Sequence, residues 1–161
     1  MDSPAALFYI RPMRILGIDY GRRRIGVALS DLLGWTAQGL PTIICSEQEN
    51  GIAPLVKIVR QEGVERIIIG QPLDQNGDKG RAAHEVDLFK ARLVTALGKN
   101  PPPIEFWDER FSSAEAKRTL LEGDRSRAKR REAIDQVAAV LILQGYLDSH
   151  KIHGVKDDEM V

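Results

Sequence analysis

The chain is predicted to be α/β, with a mixed five-stranded sheet covered by helices on both faces, and three observations carry that prediction. Two apolar runs, Arg14–Asp19 and Arg24–Ser30, adjoin across the turn at Gly21 and read as an antiparallel strand pair. A third strand-like run follows them. Short β-branched runs then alternate with longer segments of helical periodicity, the order that produces parallel strands with helices between them. With 161 residues there is room for one domain with a proper core. That domain is placed at residues 14–149, after an extension over residues 1–13 expected to be disordered and before a polar tail at 150–161.

The elements follow in order. The first strand is Arg14–Asp19 and the second Arg24–Ser30. The third lies near Gly39–Ile44, after a Leu33-Gly34 turn. Residues 47–62 place Ile52, Leu55, Val56 and Val59 on one helical face. The run Glu65–Gly70 contains Ile67, Ile68 and Ile69 between Gly63 and Gly70 and reads as a strand buried on both faces. Gln71–Gly80 is dense in turn residues and leads into a helix over Ala82–Leu97. Three prolines, 101 to 103, precede a fifth strand at Ile104–Asp108. Ser112-Ser113-Ala114-Glu115 has capping-box spacing and predicts a helix to Leu121. Gly123–Arg131 lacks apolar positions and is expected to be mobile; a last helix covers Glu132–Leu147, with fraying from Ser149.

Composition narrows the function classes. No apolar run reaches the ~20 residues of a membrane span, and Asp2 with the short run Ala5–Ile10 makes a poor signal peptide, so Met13 is an alternative start. A single cysteine, Cys45, excludes an intrachain disulfide and a cysteine zinc site, and a cytoplasmic protein is the expectation. Lys+Arg and Asp+Glu balance at 23 each, so global charge does not advertise a nucleic-acid partner. Local charge does: between Arg110 and Glu132 stand eight bases against four acids, and Arg22-Arg23-Arg24 follows the first acid directly. Any one such run is more simply a solvated face or loop.

Three acids border otherwise apolar elements. Asp19 ends the first strand, Asp108-Glu109 follows the fifth, and Asp135 lies near the start of the final helix. In open α/β sheets, sites form at the carboxyl ends of strands. Asp19 and Glu109 meet there if their strands are parallel neighbours, and a helix crossing the sheet edge can bring Asp135 to the same place. Adjacent carboxylates repel, and a divalent cation removes that repulsion. Each acid also has a plainer role. Asp19 can close its strand, Asp108 a turn, Glu109 can pair with Arg110 or Arg118, and Asp135 can favour a helix dipole.

The segments GIDYGRRRIGVALSD, IIIGQPLDQNGDKG, DERFSSAEAKRTL and AIDQVAAVLILQGYLD, in this order and spacing, resemble the four signature blocks of the YqgF/RuvX family. The resemblance spans nearly all of residues 14–149. Phe111-Ser112-Ser113 replaces a more usual Leu-Thr-Thr, and Gln136 a commoner small residue. It implies a ribonuclease H-like three-layer fold and a metal-dependent nuclease acting on phosphodiester bonds, either in 5′-end maturation of 16S rRNA or in Holliday junction resolution. By position it implies catalytic roles for Asp19, Glu109 and Asp135, with Asp108 joining them as a ligand of Mg²⁺ or Mn²⁺. An in-line attack by metal-activated water is the implied mechanism, with two ions about 4 Å apart. Arg22, Arg23, Arg24, Arg110, Arg125, Arg127, Lys129, Arg130 and Arg131 are the implied phosphate contacts, and the Gly70–Gly80 loop offers backbone amides. Expected partners are precursor rRNA, branched DNA and ribosomal precursor particles, with no membrane and a monomer or weak homodimer.

Two other classes compete. An actin/hexokinase-type phosphotransferase shares a Gly-x-Asp-x-Gly strand pair but needs two such domains. A non-catalytic nucleic-acid module keeps the fold without the chemistry. Trp35 and Trp107 are expected in or beside the core, His84 on a helix surface, and Cys45 as a small buried apolar side chain.

Overall fold

Strand alternation sorts the side chains of the sheet into two layers. The computed structural model describes residues 13–109 and 127–159. In β1 (Arg14–Asp19) and β2 (Arg24–Ser30), Leu16, Ile18, Ile25, Val27 and Leu29 face one side. They pack against Ile52, Leu55 and Val59 of α1 (Ile52–Gln61) and Val86, Phe89 and Leu93 of α2 (Arg81–Leu97). Ile67 and Ile69 of β4 (Val64–Gln71) complete this core. The intervening residues Ile15, Ala28 and Ile68 face the other way. There they meet Ala139, Ile142, Leu143 and Tyr146 of α3 (Arg127–Glu159). The result is a helix–sheet–helix sandwich, as the sequence predicts.

The sheet is completed by β3 (Ala37–Ile44) and β5 (Ile104–Asp108), and its order is β3-β2-β1-β4-β5. The pairs β1–β2 and β2–β3 are antiparallel, while β1–β4 and β4–β5 are parallel. The carboxyl ends of β1, β4 and β5 therefore open on the same edge. Asp19 and Asp108-Glu109 emerge there, but β1 and β5 are not neighbours, because β4 runs between them.

Several boundaries differ from those expected. The segment before α1 is a turn, with Ser46 Oγ accepting from the Glu49 amide at 3.0 Å, and Gly51 adopts a φ of +82° that ends it. Of the segment Gly123–Arg131 expected to be mobile, Arg127–Arg131 is helical as part of α3, and residues 123–126 lie outside the described residues. Lys, Arg and Ala propagate a helix well without an apolar stripe. Its backbone continues to Glu159 instead of stopping at Leu147, since each added residue of a nucleated helix gains a hydrogen bond. Trp35 is 52% exposed and lies outside the core, held in a turn whose amide donates to Asp31 Oδ1 at 2.7 Å. Trp107 packs edge-on to Tyr146 beside the second core, and Cys45 is half-buried at the rim of the first. His84 is exposed on α2. The helix expected over Ser112–Leu121 lies outside the described residues.

Glycines on the α3 side of the sheet set how close that helix sits. A Cβ on Gly17 would stand 2.7 Å from Leu143 Cβ, and one on Gly26 2.2 Å from the backbone oxygen of Asp135. Real side chains do not tolerate such separations, so the helix would have to lift. Gly26→Ala is expected to lower stability by about 2–3 kcal/mol, several degrees of melting temperature. Gly80→Ala, where nothing lies within 4 Å, should change it by less than about 1 kcal/mol. Thermal melts followed by circular dichroism check the contrast.

Candidate active site

Three carboxylates form a row across three adjacent strands. Asp19 ends β1, and its cross-strand partner in β2 is Gly26. Over Gly26 lies the backbone of Asp135, so this acid is set down beside Asp19 by the bare strand beneath it. On the other flank, β4 presents Gly70. A Cβ there would sit 2.2 Å from Glu109 Oε1 and 2.6 Å from Ile142 Cδ1. Strand neighbours lie about 4.8 Å apart, so β5 is nearly 10 Å from β1. Glu109 bridges that gap by laying its side chain across Gly70. The two acids thus meet without their strands being neighbours. Asp135 arrives on a helix that lies over the sheet face, not across its edge.

Asp135 stands in the third turn of α3, too far from the first turn for a dipole role. Asp108, on the opposite phase of β5 from Glu109, pairs in register with Gln71 and acts on the row as a neighbouring negative charge.

The electrostatics follow from burial and crowding. Burial raises Asp19 above the ordinary carboxylate range, and the negative charge of Asp135 adds to this; a hydrogen bond with Glu109 opposes it. Burial also leads for Glu109, followed by repulsion from Asp19, the same hydrogen bond and repulsion from Asp108, and together they push it up to about 8. Near neutral pH Glu109 is therefore the protonated member of the pair and donates to the Asp19 carboxylate. Asp135 is raised by burial, partly offset by Arg24. Arg24 Nε stands 3.4 Å from Asp135 Oδ2, an ion pair by distance. Bond geometry is missing, and that buried oxygen has no hydrogen-bond partner among the described residues. Among the described residues no group of three His, Cys, Asp or Glu side chains is arranged to hold a metal ion. The donor set is nonetheless hard carboxylate oxygen, with one oxygen orphaned and one proton shared, which suits an oxygen-preferring divalent cation.

The basic residues divide. Arg23 is exposed, and Arg22 is engaged by Glu85 on α2. With Arg24 they line a groove of about 540 Å³ whose other wall is Ile44–Glu47. Arg127 and Lys129 are exposed at the start of α3. Arg130 and Arg131 belong to the same helical turns, while Arg110 and Arg125 lie outside the described residues. The loop after β4 is a weaker phosphate cradle than its glycines suggest: Asp74 Oδ1 already accepts the amides of Asn76 and Asp78 at 2.9 and 2.8 Å. The residues that sequence reasoning missed are Gly26 and Gly70. Their signal was available, since each lies in the same strand phase as the side chains that face α3.

Comparison with known proteins bears on the family and the fold. The family described as RuvX, Holliday junction resolvase, matches residues 13–149. A protein of Moorella thermoacetica named "Putative pre-16S rRNA nuclease" is 49% identical over 143 residues, covering 89% of this chain and 100% of its own. A Staphylococcus saprophyticus protein of the same name is 46% identical over 140 residues, covering 84% and 96%. Among solved structures, Thermus thermophilus RuvC in complex with a Holliday junction substrate aligns with a TM-score of 0.53 at 14% identity, over 86% of this chain and 96% of that one. The fowlpox virus resolvase in complex with junction DNA aligns with a TM-score of 0.50 at 12% identity, over 85% and 98%. These likenesses establish a ribonuclease H-like fold.

The raised Glu109 has a definite consequence for stability. Below about pH 4.5 the group is protonated folded or unfolded; between there and about 8 only the folded chain keeps the proton. The unfolded state binds fewer protons in this window, so stability falls as pH rises through it. In chelator, Glu109→Gln should match wild type near pH 4.5 and exceed it by about 1–3 kcal/mol near pH 8, discounted for partial exposure. Urea unfolding at the two pH values measures this.

Proposed function

The chain belongs to the RuvX family, and from that premise we propose that it is a nuclease hydrolysing phosphodiester bonds of precursor 16S rRNA at the 5′ end. The observation that carries the proposal is the row of Asp135, Asp19 and Glu109, crowded into one half-buried place with a shared proton and an orphaned oxygen. The names of the relatives supply the substrate.

Asp19, Glu109 and Asp135 are the residues that would hold Mg²⁺ or Mn²⁺. When bound, such an ion acidifies a water and stabilises developing charge on phosphate oxygens. The chain's own part is to position and to exchange charge. Asp19, fixed by sheet backbone, supplies the central carboxylate, and Glu109 gives up the proton it shares so that both carry negative charge. Asp135 supplies a third carboxylate from the facing helix. Arg24, already beside Asp135, is the base best placed to hold the phosphate being cut. Arg23, Arg127 and Lys129 extend a cationic border along which the strand is held. Asp108 adds charge without facing the row.

Asp19→Asn is expected to reduce cleavage of a labelled 16S precursor by about 10³-fold, the several kcal/mol such an ion contributes. Folding and RNA affinity should be nearly unchanged. A precursor fragment and a four-way DNA junction are assayed side by side with Mg²⁺, with Mn²⁺ and with chelator. Undiminished cleavage by the variant refutes the assignment, and faster cutting of the junction than of the RNA replaces the substrate.

A further inference from the structure

We propose that the groove between α1 and α2 is a docking surface for an acidic, amphipathic helix of a partner protein. It lies on the sheet face opposite the carboxylate row and goes beyond the nuclease reading. Its volume is about 970 Å³. Val56 of α1 and Leu88 of α2 face it, and Leu88, a large apolar side chain, is 60% exposed. Large apolar groups left in a concave surface mark interaction sites more often than scattered exposed ones do.

Charge identifies the occupant. Lys57 and Arg60 stand on the α1 wall and Arg92 on the α2 wall, all exposed. No ion pair engages any of the three among the described residues. The groove thus has an apolar floor between two cationic walls and no acidic residue in its lining. Each wall runs nine residues, from Ile52 to Arg60 and from Leu88 to Ala96, a rise of about 12 Å of helix. That length accepts the anchors of a visiting helix at i, i+3, i+4 and i+7, which span about 10.5 Å. Carboxylates flanking those anchors would meet Lys57, Arg60 and Arg92. A nucleic-acid strand fits less well, because no aromatic side chain lines the groove for base stacking. Occupancy here leaves the carboxylate row open, so the surface suits recruitment to a complex in which the other face cuts.

A displayed helix library tests this on the full-length protein. Apolar residues are fixed at i, i+3, i+4 and i+7, and all other positions vary among Glu, Lys and Ser. Selection is expected to favour Glu over Lys. The selected peptide should then lose at least tenfold affinity, by fluorescence anisotropy, for Leu88→Asp and for the combined Lys57→Glu, Arg60→Glu, Arg92→Glu variant. Both variants should keep wild-type melting temperatures and nuclease activity, which separates failure here from failure of the nuclease reading. Selection of Lys-rich helices or none, or equal affinity for the variants, overturns the proposal. So does self-association abolished by Leu88→Asp in sedimentation, which assigns the groove to a second copy. Loss of single-stranded RNA binding in the charge variant, without peptide binding by wild type, assigns it to nucleic acid.

Discussion

The site depends on the absence of two β-carbons. Asp19 is fixed by the sheet, but its two companions reach it only over bare backbone. Gly26 lets the carbonyl of Asp135 come down onto β2, and Gly70 lets the Glu109 carboxylate lie flat across β4. Either position with a side chain would raise α3 or turn Glu109 away from the row. A glycine inside a strand weakens it by removing a packing group and adding unfolded-state freedom. Here that weakness is offset on the opposite side of the same strands, where Ile25, Val27, Ile67 and Ile69 are fully buried.

Close approach has an electrostatic consequence. Three acids brought together under partial burial resist ionising together at ordinary carboxylate pH, and burial and mutual repulsion raise all of them unequally. Glu109 keeps a proton and donates it to Asp19, while Arg24 faces Asp135. Neither arrangement is complete, since Asp135 Oδ2 remains buried without a hydrogen bond. Such groups are few in folded proteins, and Thr42 Oγ1 and Arg66 Nε share the condition here, so the oxygen marks the site only together with the crowded carboxylates beside it. The same features that make the row unfavourable in isolation make it a strong acceptor of a hard cation.

Much of this was legible in the sequence, and what was not has physical causes. Apolar runs ending in acids marked β1 and β5, and Asp19, Glu109 and Asp135 could be singled out because each borders a hydrophobic element. The convergence of Asp19 and Glu109 was inferred from strands taken as neighbours. The observed order puts β4 between them, and only the phase of Gly70 against Ile67 and Ile69 could have shown how the gap is crossed. The start of α3 was placed late because an apolar stripe was required of it. The turns from Arg127 to Arg131 have no such stripe, and helix propensity with propagation from the packed part suffices. Trp35 is expected in or beside the core, whereas the turn that holds it is built by Asp31, a polar residue whose partners are local backbone groups. Periodicity reports burial; it is silent where polar side chains organise the chain.

The two faces of the sheet divide the work. One face is filled by apolar side chains from all five strands and two helices, and it can absorb the loss of packing that glycines impose on the other. The thinner layer is correspondingly small and, among the described residues, is closed by α3, whose middle packs Ala139, Ile142, Leu143 and Tyr146 against the sheet. The N-terminal half of that helix carries Asp135 and the exposed bases Arg127 and Lys129. One element therefore both seals the second core and completes the acidic row. Displacing α3 at its packed end would shift Asp135 relative to Asp19 without touching either carboxylate. Substitutions at Leu143 or Gly17, remote from the chemistry in sequence, consequently act on the site through the seating of the helix.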